Sequence, residues 1–280
     1  MKKIVATSND ENRTLYKFIQ KYFATLPISF IYKLIRNKDV KINSKRVSDP
    51  RIKIKDQDIV EIYIKEDINF KEYKKSRQKV KKIYEDDNIL VVNKPKNVEV
   101  HGTQDSLDDI VKTMLFYKQD DSFCPSHIGR LDKETSGLII YAKNYKTLVT
   151  LNQNMNNIQK IYTFISNNQY ERRVYKLNIK KDEKLQKMVV TNYDEGQQAI
   201  TTLWSEKGYN FALLQSGRKH QIRVLLSYLK DPILGDRKYG GKIRPRMYLH
   251  CYKLQFSNFE GHLKYLNNKV IKYAPEWWGK

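Results

Sequence analysis

Apolar residues recur along this chain with two periods, and the change from one to the other divides it. Leu15, Phe18, Ile19, Tyr22 and Phe23 fall at three- and four-residue spacing, which predicts a helix with Thr14 as its cap. After Pro27, Ser29 is placed to cap a second helix that buries Ile31, Leu34 and Ile35, while Lys33, Arg36 and Lys38 stay off the stripe. Val40–Asn43 and Asp58–Ile64 then read as short strands, the latter with Val60, Ile62 and Ile64 on one face. Residues 1–12 look like a loose polar lead-in. Two helices followed by short strands make a module of about sixty residues, near the lower limit for independent folding.

Residues 71–82 hold Lys71, Lys74, Lys75, Arg77, Lys79, Lys81 and Lys82 against Glu72, a density of like charge that predicts a flexible linker. From Ile83 the pattern becomes that of a sheet. Ile83-Tyr84, the turn Asp86-Asp87-Asn88 and Ile89–Val92 suggest a hairpin that Pro95 stops. Ser106 can cap a helix with Leu107, Ile110, Val111, Met114 and Leu115 on one stripe, Asp109 giving a capping-box-like start. Gly137–Lys143 suits a buried strand, and Asn144–Met155 a helix with Leu148 and Leu151 inward. Further strands are expected at Gln159–Ser166, Val174–Ile179, Met188–Val190, Ala199–Ser205, Tyr209–Gln215 and Met247–Phe256. With so few helices between them, the expected class is α+β, with a mixed, largely antiparallel sheet.

Charge adds the partner. Lys and Arg number 53 against 31 Asp and Glu, a net charge of +22 with a pI near 9.7, the footprint of nucleic-acid binding. A genome biased towards Lys, Asn, Ile and Tyr codons would supply part of that charge without selection for it. Cys124 and Cys251 are the only cysteines, too few for a disulfide framework or a four-ligand zinc site, and the five histidines lack metal-binding spacing. No run resembles a signal peptide or reaches membrane-spanning length, so the expected compartment is the cytoplasm.

Two stretches invite chemistry. Asp132 sits between Arg130 and Lys133 at the mouth of the Gly137–Lys143 strand, where a carboxylate would repel the phosphates this protein attracts. It is either a structural group, in an Arg-Asp pair or an Asx-turn near Thr135, or a carboxylate kept ionised as nucleophile or base. Gly217–Val224 opens a helix striped by Ile222, Leu225, Leu226 and Leu229. Cations there oppose the helix dipole, which suggests a nearby phosphate or carboxylate, a solvated basic turn being the plain alternative. Arg223 flanks the stripe and can reach a partly buried carboxylate, for which Asp132 is the natural candidate.

Arg130-Leu131-Asp132-Lys133-Glu134-Thr135-Ser136-Gly137-Leu138 resembles the catalytic motif of RluA-type pseudouridine synthases. Gly217–Val224 with Asp231–Gly240, Asn93-Lys94-Pro95 and Lys160-Ile161-Tyr162 match further motifs of that family, in family order over about 83–260. Residues 13–64 are similar to the alpha-L RNA-binding domain first known from ribosomal small-subunit protein four, through Arg13–Phe18, Lys33-Leu34-Ile35, Val40–Asn43, Lys45-Arg46-Val47 and Asp56–Val60. The resemblance implies an alpha-L domain over 1–70, a linker over 71–82 and a catalytic domain over 83–280. It implies isomerisation of uridine to pseudouridine in large-subunit ribosomal RNA, with Asp132 as nucleophile, Tyr162 against the flipped uracil and serving in proton removal, and Arg223 paired with Asp132. Arg130 would fill the gap in the RNA stack. Arg218, Lys219, His220, Gln221, Lys94, Lys33 and Arg36 complete the expected RNA-contacting set. The protein is expected to act as a monomer, without metal or organic cofactor. The rival readings are a non-catalytic ribosome-assembly factor and a synthase acting on transfer RNA. Gly129, Asn97 and Leu225 depart from residues common in the family, His, Gly and His respectively.

Overall fold

Leu15, Phe18, Ile19, Ile31 and Ile35 are completely shielded from solvent, and they pin two short helices against a small sheet. The structure, a computed structural model, describes residues 1–23, 26–64, 75–117, 123–192 and 195–279. Its first elements are β1 (Lys2–Val5), α1 (Leu15–Tyr22), α2 (Ile28–Arg36), β2 (Val40–Ile42), β3 (Lys45–Val47) and β4 (Ile59–Ile62). The strands form an antiparallel sheet ordered β1-β4-β2-β3.

Three expectations for this region change. The lead-in is not loose, because Ile4 turns inward and β1 pairs along β4, a signal that one inward residue in four was too short to give. Pro27 holds the cap position of α2, with Ser29 inside the helix. Thr14 occupies the cap of α1, yet its buried hydroxyl makes no hydrogen bond.

The second group comprises β5 (Lys81–Glu85), β6 (Ile89–Lys94), α3 (Leu107–Met114), β7 (Ser126–Ile128), β8 (Ser136–Ala142), α4 (Tyr145–Gln153), β9 (Ile158–Phe164), β10 (Arg173–Asp182), β11 (Lys187–Thr191), β12 (Gln197–Glu206), β13 (Tyr209–Leu214), α5 (Gln221–Tyr228), β14 (Leu249–Phe256) and β15 (Val270–Lys272). The expected cap of α3 forms, Ser106 Oγ accepting from the Asp109 amide, and Asn144 Oδ1 caps α4 by accepting from the Thr147 amide. The strands make one mixed sheet ordered β11-β10-β12-β13-β9-β14-β8-β6-β5, with β15 on β14 and β7 on β8. Only β14 and β8 run parallel among the described pairs. Their approach requires Gly137, whose φ is 118° and where any Cβ would collide with the Cys251 backbone.

Lys71–Lys74 lie outside the described residues, but the rest of the expected linker is tied down. Ser76 donates to Asp105 at 2.6 Å, and Lys81 and Lys82 pair with β6, so charge density misread a strand. The two groups of elements also meet, the loop before α1 against α4: Asn9 Oδ1 accepts from the Tyr145 amide at 3.0 Å, and the Arg13 guanidinium stacks 3.9 Å from the Tyr145 ring. No helix among the described residues is long and apolar enough to cross a membrane.

Candidate active site

Asp132 ends up where the middle of the large sheet opens, because the loop carrying it enters β8 directly beneath α5. A cleft of about 320 Å³ is lined there by Arg130, Asp132, Lys160, Tyr162, Arg218 and Arg223, among others. The carboxylate itself does not make an Asx-turn. The Thr135 amide bonds to the Asp132 carbonyl at 3.1 Å, which leaves the side chain free to meet Arg223 Nη1 at 3.3 Å. With its side chain 27 % exposed, Asp132 still faces the cleft.

Arg223 is held from behind by a residue that sequence reading had not singled out. Its Nε and Nη2 donate to the two oxygens of Asp236 at 2.7 and 2.8 Å, and Nη2 also reaches Glu134 at 2.9 Å. Asp236 is fully buried, as Arg223 nearly is. Burial by itself would lower the guanidinium's pKa, but hydrogen bonding to Asp236 and the charges of Asp236, Asp132 and Glu134 outweigh it and hold it above its ordinary value. The fork therefore has one fixed side, on Asp236, and one that presents Asp132 to the cleft. A buried arginine demands carboxylate partners, and that was the available signal. What sequence could not supply was which acid turns back to it.

His220 approaches Asp132 from the same side, its Nε2 3.7 Å from Oδ2. Its Nδ1 lies 2.8 Å from the Tyr239 hydroxyl, which also accepts from the Met188 amide, and a neutral ring that takes the hydroxyl proton on Nδ1 turns Nε2–H towards Asp132. Burial chiefly pulls the His220 pKa down to about 4, Asp132 opposing and Arg223 adding to the fall. His250, between Ser136 and the Tyr273 carbonyl, is likewise lowered to about 4, mainly by burial. The unfolded chain therefore takes up protons near 6.5 that the folded chain refuses until about 4. The stability contributed by these neutral rings is complete above pH 6.5 and drains away as the pH falls towards 4. Urea midpoints are expected to drop between pH 7.5 and 5, and a His220→Gln, His250→Gln double variant is expected to show a shallower drop. An unchanged slope in that variant would remove both rings from the account.

Other expected contacts separate into rim and interior. Arg130, Arg218 and Lys219 are exposed at or near the cleft, and Lys33 and Arg36 on α2. Lys94 and Gln221 are not placed as expected: Lys94 is shut off from the cleft, and Gln221 lines it with its amide already spent. Lys94 is completely buried, and its ammonium donates to the carbonyls of Pro95, Val98 and Lys133 at 3.0, 2.7 and 3.0 Å. It braces the loop that carries Asp132. Burial brings its pKa down to about 7 against the pull of the Asp132 charge. Asn97 completes that brace from a left-handed conformation, φ 64°, which Asn tolerates nearly as Gly does. Gln221 spends its amide on Ile200, Thr201, Ser216 and Arg218, so it fastens the start of α5 to β12.

Tyr162 lies on β9 opposite Cys251 of β14, with its phenol beside that thiol. Burial, reinforced by Cys251 and Asp132, raises the phenol well above its ordinary value, and burial pushes the thiol up to about 12. Both are therefore protonated at neutral pH. Among the described residues no group of three or more His, Cys, Asp or Glu side chains could hold a metal ion.

Comparison with known proteins supplies the family. Residues 88–228 match the family model described as RNA pseudouridylate synthase. A Mycoplasma capricolum protein named an uncharacterized RNA pseudouridine synthase is 39 % identical, over 99 % of both chains. The Escherichia coli ribosomal large subunit pseudouridine synthase C is 30 % identical over 91 % of this chain and 89 % of its own. Among solved structures, human RNA pseudouridylate synthase domain containing 1 has the same fold, with a TM-score of 0.55 at 20 % identity over 63 % of this chain and 78 % of that one. The match to the family model, together with a relative similar along its entire length, places this chain in the RNA pseudouridylate synthase family, and it is an isomerase of that class.

Proposed function

We propose that this pseudouridine synthase modifies large-subunit ribosomal RNA and that Asp132 is its nucleophile. The observation that carries the catalytic part is the Asp132 carboxylate, open to the cleft yet clamped at 3.3 Å by a guanidinium that Asp236 fixes from behind. Clamping keeps the carboxylate aimed and offsets its repulsion of phosphate. Tyr162 would lie against the extruded uracil. As a protonated phenol it can accept the C5 proton only while passing its own on, so its contribution is a relay and not a standing phenolate base.

The choice of ribosomal RNA is supported by the names of the relatives, such as the Escherichia coli enzyme of the large ribosomal subunit, and by the net charge of +22. In this reading residues 1–70 are an alpha-L RNA-binding domain, 71–82 the connection and 83–280 the catalytic domain. The exposed Lys33 and Arg36 engage phosphates without reading sequence. The enzyme works as a monomer in the cytoplasm, with no metal or organic cofactor. The test is pseudouridine mapping after incubation with unmodified ribosomal and transfer RNA. New pseudouridines are expected in the large-subunit RNA, and modification confined to transfer RNA would overturn the substrate choice.

A further inference from the structure

Lys160 stands two residues before Tyr162 on β9, so both side chains leave the same face of that strand, and both line the cleft that contains Asp132. Its ammonium lies beside Gly129, where an added Cβ would be 2.7 Å from Nζ. The two buried cations of this region are satisfied, Arg223 by three carboxylates and Lys94 by three carbonyls. Lys160 has no hydrogen bond or ion pair with any described residue. The one ionisable neighbour whose charge bears on it, the Cys251 thiol, is neutral at pH 7, and burial lowers the Lys160 pKa. A half-buried cation lacking a partner gains much from negative charge that arises beside it.

We propose that Lys160 is a further catalytic residue, which stabilises the negative charge that uracil acquires as it parts from its ribose. The inference rests on the pseudouridine synthase reading of the same cleft. When the C1′–N1 bond breaks, its electron pair stays with the base, and the charge spreads from N1 onto O2 and O4. The Lys160 ammonium donates a hydrogen bond to one of those oxygens and keeps its proton. The charge is consumed when the turned base attacks C1′ through C5. Loss of the C5 proton and uptake of one proton at N1 then restore a neutral uracil. The spread onto both oxygens needs the C5–C6 double bond intact, as it is when Asp132 attacks C1′, and the carboxylate then leaves C1′ as C5 bonds there.

A backbone phosphate is the other anion that could reach a lysine here. Position argues for the base, because Lys160 shares its strand face with the residue that would lie against uracil, while exposed Arg130, Arg218 and Lys219 already serve the rim. Single-turnover rates and RNA affinity separate the two. The full-length wild type, Lys160→Met and Asp132→Asn are compared on unmodified ribosomal and transfer RNA transcripts, and the first two again on transcripts made with 5-fluorouridine. Lys160→Met keeps the length of the side chain without its charge. It is expected to slow glycosidic cleavage about 100- to 1000-fold with affinity nearly unchanged, as loss of one charge-stabilising donor does. The 5-fluorouracil anion is the more stable of the two, so the fluorinated RNA is expected to narrow that gap roughly tenfold or more. Wild-type rates in Lys160→Met overturn the proposal, as does a loss confined to affinity, which would make Lys160 a phosphate contact. Wild-type turnover together with inactivity of Asp132→Asn upholds the enzymatic reading independently of either result.

Discussion

Asp132→Asn is expected to reduce single-turnover pseudouridine formation by more than about 10⁴-fold, the scale seen when an enzyme loses its nucleophile. The same change is expected to leave stability nearly intact. Arg223 retains Asp236 and Glu134 when Asp132 is neutralised, so its buried charge is not abandoned. RNA affinity should hold or rise, because one negative charge leaves a cleft that attracts phosphates. This pattern of lost turnover, kept fold and kept binding separates a nucleophile from a structural acid. Substantial turnover by Asp132→Asn, measured on an RNA the wild type modifies, would hand the chemistry to another group.

Asp236→Ala is expected to produce the largest loss of stability of any single change at the site. It strips a nearly buried guanidinium of its two shortest bonds, at 2.7 and 2.8 Å, and breaking a buried pair from one side costs about 3–5 kcal/mol. For a domain of this size that corresponds to a fall in Tm of roughly 6–20 °C. Activity should fall as well, since Arg223 no longer has a fixed side from which to aim Asp132. A double variant, Arg223→Met with Asp236→Leu, distinguishes the two effects. Replacing both charges by apolar side chains is expected to recover much of the Tm but none of the turnover. Recovery of both would show that the pair contributes only to folding.

Much of the fold was legible because periodicity reports burial directly. The stripes through Leu15–Phe23 and Leu107–Leu115 became α1 and α3, and the Ser106 cap formed as its spacing required. The failures share a cause. β1, the three-residue β3 and the Lys81–Lys82 start of β5 are too short or too charged to show a period, and they become strands only because a partner's edge offers hydrogen bonds. Lys94 and Gln221 failed for the opposite reason. Long polar side chains look like surface groups, yet each closes a set of backbone carbonyls and amides that would otherwise be buried unpaired.

By itself the sequence determined that this protein carries a strong positive charge, that helices give way to a sheet, and that a carboxylate and an arginine stand in two motifs 91 residues apart. These follow from local spacing and composition, which need no knowledge of where the chain returns. Only the tertiary structure decided that Asp236 anchors Arg223, that His220 is neutral, and that Lys160 faces the cleft beside Gly129 without a counterion. Partnership, protonation and solvent exposure are set by which distant segments share a cavity, and here that is settled where the parallel pairing of β8 with β14 brings the Asp132 loop beneath α5.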